Sequence, residues 1–157
     1  MQISASVGAI ISSFCLAATA APVEGSVSAA RAPFTVSKFN AGATPHSSIG
    51  YIELSWSYAT GANASQCTAR PATYQVFPSV EQTACDNPMT SFNLTQAADG
   101  GADLELWYKQ TAGRVAHGVH HIAADEIVWS NQQSPTGQVQ VYAGPQNFTV
   151  DATYPEV

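Results

Sequence analysis

The sequence predicts an all-β protein, a single antiparallel β-barrel or β-sandwich of about eight to ten short strands. Three observations carry this. Beyond residue 20 the chain has twelve Val but only four Leu, and β-branched side chains favour the pleated backbone. Apolar and polar residues alternate in five separate runs, the period of a strand with one buried face. Turn-forming clusters punctuate the runs at short intervals, as in sandwiches and barrels.

The elements follow in chain order. Phe34 to Phe39 opens the domain as a strand. From Tyr51 to Tyr58, Ile52, Leu54, Trp56 and Tyr58 share one face and Glu53, Ser55 and Ser57 the other. Thr73 to Phe77 is a further strand candidate. Phe92 and Leu94 alternate with Ser91, Asn93 and Thr95, and Leu104, Leu106 and Tyr108 with Asp103, Glu105 and Trp107. Asp99-Gly100-Gly101 between those runs is the strongest hairpin signal. Val115 to Ile122 and Ile127 to Trp129 read as strands, joined by Ala123-Ala124-Asp125-Glu126, at most a turn or two of helix. Val139 and Val141 face inward against Gln138, Gln140 and Tyr142, and Phe148 and Val150 against Asn147, Thr149 and Asp151.

The N-terminus reads as an address. Residues 1–20 carry a short apolar run, below the ~20 residues of a membrane span. It ends in Ala18-Thr19-Ala20, suited to signal peptidase. Residues 21–32 read as a flexible lead or short pro-segment, and residues 33–157 as the β domain. The expectation is a secreted, extracellular chain. Cys15 falls inside the signal, leaving Cys67 and Cys85, an even pair in an oxidising compartment and hence an expected disulfide. Sequons at Asn63, Asn93 and Asn147 agree with an exported glycoprotein, and strand phase points Asn93 and Asn147 to solvent.

Composition excludes whole function classes. Only 10% of residues are charged, against about 25% on average. Sixteen Ser and thirteen Thr help supply the surface polarity instead. Net charge is −6, and the five basic residues, Arg31, Lys38, Arg70, Lys109 and Arg114, are never adjacent. Phosphate recognition and anionic-membrane docking both need basic clusters, so neither nucleic acid nor membrane is an expected partner.

Few residues invite chemistry. His117, His120 and His121 are candidate metal ligands or pH sensors. On a strand, however, His120 and His121 face opposite sides, and His117 and His121 sit ~13 Å apart, too far to share one ion. His46 reads as a turn residue. Asp103 and Glu105 share a face with the spacing of a glycosidase pair, but alternation sets them on an open surface beside Trp107. No nucleophile, zinc or phosphate-loop motif occurs, so no enzyme and no cofactor is expected. Trp107, Tyr51 and Tyr142 lie on outward phases and form a candidate binding surface for a protein, a sugar or another small ligand.

The order of several short segments resembles fungal small secreted proteins of the Alternaria major-allergen-like family, including effector-like relatives. The segments are Phe34-Thr35-Val36-Ser37-Lys38-Phe39, Pro45-His46-Ser47, the strand from Tyr51, Cys67 and Cys85-Asp86-Asn87-Pro88. Asp99-Gly100-Gly101-Ala102-Asp103-Leu104, Gly118-Val119-His120-His121-Ile122 and Gly144-Pro145-Gln146-Asn147-Phe148-Thr149 follow. The resemblance implies a compact β-barrel or sandwich that binds host extracellular proteins or small plant-derived ligands without catalysis. One departure stands out. The resembled pattern has cysteines just before and just after Pro-His-Ser, where this chain has Ala43 and Gly50. No thiol is then spare for a cysteine-linked dimer, and pairing of copies would be non-covalent, through an edge strand. The alternatives to a virulence-related, allergen-like binder are a small carbohydrate-binding module and a secreted hydrolase.

Overall fold

The computed structural model describes residues 33–110, 113–131 and 137–153. The expected signal and lead segments lie outside these residues. Eleven strands form two antiparallel sheets: β1 (Phe34–Ala43), β2 (Gly50–Ser57), β3 (Ser65–Ala69), β4 (Val80–Ala84), β5 (Thr90–Gln96), β6 (Ala102–Lys109), β7 (Val115–Ile122), β8 (Ile127–Asn131), β9 (Gln138–Tyr142), β10 (Phe148–Val150) and β11 (Ala152–Thr153). The first sheet runs β3-β2-β1-β9-β8, with β10 also paired to β1, and the second runs β11-β7-β6-β5-β4. The architecture is therefore a sandwich and not a closed barrel. Among the described residues no helix is long and apolar enough to cross a membrane.

The core lies between the sheets, where alternation placed it. Phe34, Val36, Phe39, Ile52, Leu54 and Trp56 of the first sheet meet Phe92, Leu94, Leu104, Leu106 and Ile122 of the second, all buried. Phe34 packs on Trp56 with ring centres 4.9 Å apart. Burying each such side chain stabilises by roughly 1.5–3 kcal/mol. The 3₁₀ turn Ala124–Glu126 carries the chain from β7 to β8, closed by Glu126, whose Oε2 accepts from the Ala123 N–H at 3.1 Å. The expected hairpin joins β5 to β6. Ala97 N–H donates to the Gly101 carbonyl, and Gly100 takes φ +89°. A side chain is also excluded next door, because a Cβ on Gly101 would lie 2.3 Å from the Ile122 carbonyl oxygen.

Cys67 and Cys85 form a disulfide, with Cα atoms 4.3 Å apart. It ties β3 of the first sheet to the segment just after β4 of the second.

Three expectations need correction. Thr73 to Phe77 is not a strand. Gln75 has φ +63°, and Val76 N–H donates to the Tyr74 carbonyl at 2.8 Å, closing a γ-turn between Pro71 and Pro78. The β-rich composition there is overridden by that turn. Three strands escaped notice instead, β3, β4 and the two-residue β11. The inward residues of β3 are Ser65, Cys67 and Ala69, too small to register as an apolar face, and β4 buries almost nothing. Lastly, β9 departs from its expected phase at Tyr142, although Val139 is buried as expected. Tyr142 is buried against Phe39, ring centres 4.8 Å apart. Val141 lies on the opposite side with Tyr51, since a Cβ on Gly42 would meet both Tyr51 Oη and Val141 Cγ1.

Candidate functional site

The second sheet presents an open outer face built by β5, β6 and β7. Register sets its rows: Thr95, Asp103 and His121; Asn93, Glu105 and Val119; Ser91, Trp107 and His117. Directly opposed side chains on one face stand about 5 Å apart, so acids and imidazoles meet. His121 is held from both sides. Its Nδ1 lies 2.7 Å from Asp103 Oδ1 and its Nε2 2.9 Å from Asp99 Oδ2. Asp99 reaches it from the β5–β6 turn, where the same carboxylate accepts the Gly101 N–H at 2.9 Å. His117 Nε2 lies 2.8 Å from Glu105 Oε2. Its ring stacks on Trp107, with centroids 4.9 Å apart and planes 15° from parallel. Val119 stands at the centre of the face, 50% exposed.

The electrostatics follow from this geometry. The hydrogen bond that the His121 ring donates to Asp103, with the nearby Asp99 charge, raises the His121 pKa above its ordinary value. The Gly101 N–H first, and His121 after it, lower that of Asp99. His120 is the reverse case. Pairing with Leu104 turns it inward, where it stacks on Phe148 with centroids 3.9 Å apart. Burial lowers its pKa, partly countered by Glu126 and reinforced by His121. The pKa values of neighbouring imidazoles thus shift in opposite directions, because successive residues of a strand face opposite sides.

The remaining site residues scatter. Tyr51 is half-buried on the outer face of the first sheet, and burial with the Glu53 charge raises its pKa against the opposing pull of Arg70. Tyr142, expected outside, sits in the core and donates its hydroxyl to the Pro145 carbonyl at 2.9 Å. It therefore leaves the candidate binding surface. Burial, then the Glu126 charge, pushes its pKa up to about 12. Asn63 is exposed. Asn147 is exposed too, and its Oδ1 accepts the Lys38 N–H at 3.2 Å. Asn93 is half-buried, with Nδ2 toward Glu105 and Oδ1 inaccessible and without a partner, so a glycan there requires the amide to leave that pocket. Among the described residues no group of three or more His, Cys, Asp or Glu is arranged to hold a metal ion. The carboxylates opposite His117 and His121 are bonded to those rings instead.

Sequence reasoning missed a second constellation, at the end of the sandwich where the 71–79 loop, β8, β9 and the β5–β6 hairpin converge. Val76, Phe77, Gln96, Gly101, Ile127 and Gln140 line a cleft of about 230 Å³ there. Trp129, 54% exposed, is paired with Gln140 across the β8–β9 ladder. The alternating pattern flagged neither glutamine, since their role depends on a loop that was read as a strand.

No protein-family model matches the chain, and no curated protein matches it.

Proposed function

We propose that this is a secreted recognition protein without catalytic activity, of the fungal allergen-like or effector-like kind, which docks a host extracellular protein through the outer face of β5, β6 and β7. The observation that carries this reading is the placement of Trp107, His117, His121, Asp103 and Glu105 together on one open sheet face, their side chains already fixed by mutual bonds. A face ordered before binding loses little side-chain entropy on docking. Trp107 and Val119 supply apolar contact among polar neighbours, the composition of an interface. Asp103 and Glu105 are each engaged by a histidine on that face, which suits recognition better than acid–base work in a cleft.

The register adds support for the resemblance. Ala43 and Gly50, where the resembled pattern carries cysteines, are direct partners across the β1–β2 ladder. Cross-strand partners have the Cα spacing a disulfide needs. The disulfide Cys67–Cys85 is compatible with an extracellular setting.

The test is chemical cross-linking of the purified protein in host extracellular fluid, with the captured protein identified and then bound in purified form. Wild-type protein binds it, while Val119→Arg and Trp107→Ala lose at least tenfold in affinity, the scale of a central interface residue. Failure of wild-type protein to bind any purified host protein, or equal binding by both variants, overturns the reading.

A further inference from the structure

The cleft at the end of the sandwich has the chemistry of a small-ligand site. Phe77 is buried, and its peptide groups are gripped from both sheets. Its N–H donates to Gln140 Oε1 at 2.8 Å, and its carbonyl accepts from Gln96 Nε2 at 2.8 Å. Gln140 also donates its backbone N–H to the Gln75 carbonyl at 2.7 Å, holding the γ-turn residue with φ +63°. Backbone in that region persists only where its surroundings over-determine it, as here.

Each glutamine is thus pinned by one end of its amide. The other ends, Nε2 of Gln140 and Oε1 of Gln96, have no partner among the described residues. Both glutamines line the cleft, and none of the residues lining it is charged. Ile127 lines it too. Trp129 lies two residues further along β8, on the same face as Ile127 and opposite Gln140, so its exposed side chain is next to a residue that lines the cleft.

We propose that this cleft binds an uncharged pyranose, the end unit of a neutral glycan. A sugar hydroxyl both donates and accepts, so two neighbouring hydroxyls satisfy the free acceptor on Gln96 and the free donor on Gln140 together. An aromatic face takes the apolar C–H face of a pyranose ring, which is the part Trp129 offers. An ionised sugar would lose hydration without gaining a counter-charge, so uronic acids are rejected. The volume lies below the ~300–1,000 Å³ of drug-sized pockets, so one ring enters and the rest of the glycan extends past Trp129. The proposal stands apart from the reading of the β5–β7 face, and the two use different residues.

The experiment is a titration of the isotope-labelled protein, followed by amide and indole resonances, with cellotetraose, laminaritetraose and mannotetraose. Tetragalacturonate serves as the anionic comparison. At about 10 mM sugar, ten times a Kd of ~1 mM, at least one neutral oligosaccharide shifts the side-chain amides of Gln96 and Gln140 and the Trp129 indole N–H. Which one responds distinguishes a β-1,4-glucan, β-1,3-glucan or mannan source. Trp129→Ala, at an exposed position, and Gln140→Glu, which keeps the acceptor for Phe77 N–H but removes the free donor, each weaken binding about tenfold or more. Trp107→Ala leaves it unchanged. The proposal is overturned if no neutral oligosaccharide produces these shifts, if both variants retain wild-type affinity, if the shifts centre on Trp107, or if tetragalacturonate binds equally well.

Discussion

Replacing Cys67 and Cys85 together by alanine removes the disulfide tie between the sheets. The bridge spans a sequence separation of 18. In the chain-entropy model a closed loop of that size destabilises the unfolded ensemble by about 3 kcal/mol. Unfolding entropy is about 2.1 cal/mol/K per residue, so for a domain of roughly 120 residues the melting temperature falls by about 12 °C. The loss is not spread evenly. Both β3 and β4 are edge strands, and β4 buries almost nothing of its own. A pair of hydrogen bonds remains at the junction: Asp86 N–H to the Gln66 carbonyl at 2.9 Å, and Gln66 N–H to Asp86 Oδ1 at 2.8 Å. Calorimetric melting of the alanine variant gives the global term, and amide hydrogen exchange gives its distribution. Protection at 65–69 and 80–84 falls further than in β1, β2 and β6. A melting temperature within about 3 °C of wild type, or exchange that rises uniformly, refutes the reasoning.

Three further predictions follow from single side chains. Titration of the imidazole proton resonances places the His121 midpoint above the ordinary value near 6.5 and the His120 midpoint below it. Stability from His121 is full below about pH 6.5 and is lost as pH rises through its raised folded pKa, whereas His120 costs stability as pH falls below about 6.5 toward its lowered one. Asp103→Asn moves the His121 midpoint down, and a midpoint that stays put contradicts the assigned cause. Ser65→Ala removes a buried hydroxyl that has no hydrogen-bond partner, so denaturant unfolding shows a change between zero and about 1 kcal/mol in favour of the variant. Ultraviolet titration shows a late tyrosine step near pH 12, which Tyr142→Phe abolishes.

Much of the fold was legible because the core residues are large and alternate cleanly. Ile52, Leu54 and Trp56, or Leu104 and Leu106, leave only one choice of buried face, since a one-residue slip would expose them all. The same logic placed Asp103, Glu105 and Trp107 outside and split His120 from His121. Legibility failed where alternation ceased to rank the two faces. In β9, Val139, Val141 and Tyr142 are all apolar enough to be buried, and both Val139 and Tyr142 are, the tyrosine because its ring finds Phe39 and its hydroxyl the Pro145 carbonyl. In β3 the inward residues are small because the disulfide and Trp56 fill that space. The cleft was illegible for a different reason. Gln96 and Gln140 are 44 positions apart in the sequence, and only Phe77, on a loop that composition misassigns, brings their amides together.

The outer face of β5 to β7 owes its character to a shortage of fixed positive charge. Eleven acids face five Lys and Arg in the whole chain, and the ion pairs of Asp99, Asp103 and Glu105 among the described residues are all to histidine. A lysine in those places would hold its charge at every physiological pH; an imidazole makes the balance conditional. For His121 the condition is also geometric. As imidazolium it donates from both nitrogens and satisfies both carboxylates. Once neutral it has a single N–H, so one nitrogen lone pair must confront a carboxylate oxygen. Asp103 is fixed opposite His121 by the β6–β7 ladder, while Asp99 stands on the turn and has the Gly101 N–H as a second partner. Asp99 is therefore the contact that yields. Rising pH through the raised His121 pKa therefore adds negative charge to the face and weakens the Asp99 contact. The face is thus more negative above the raised His121 pKa than below it.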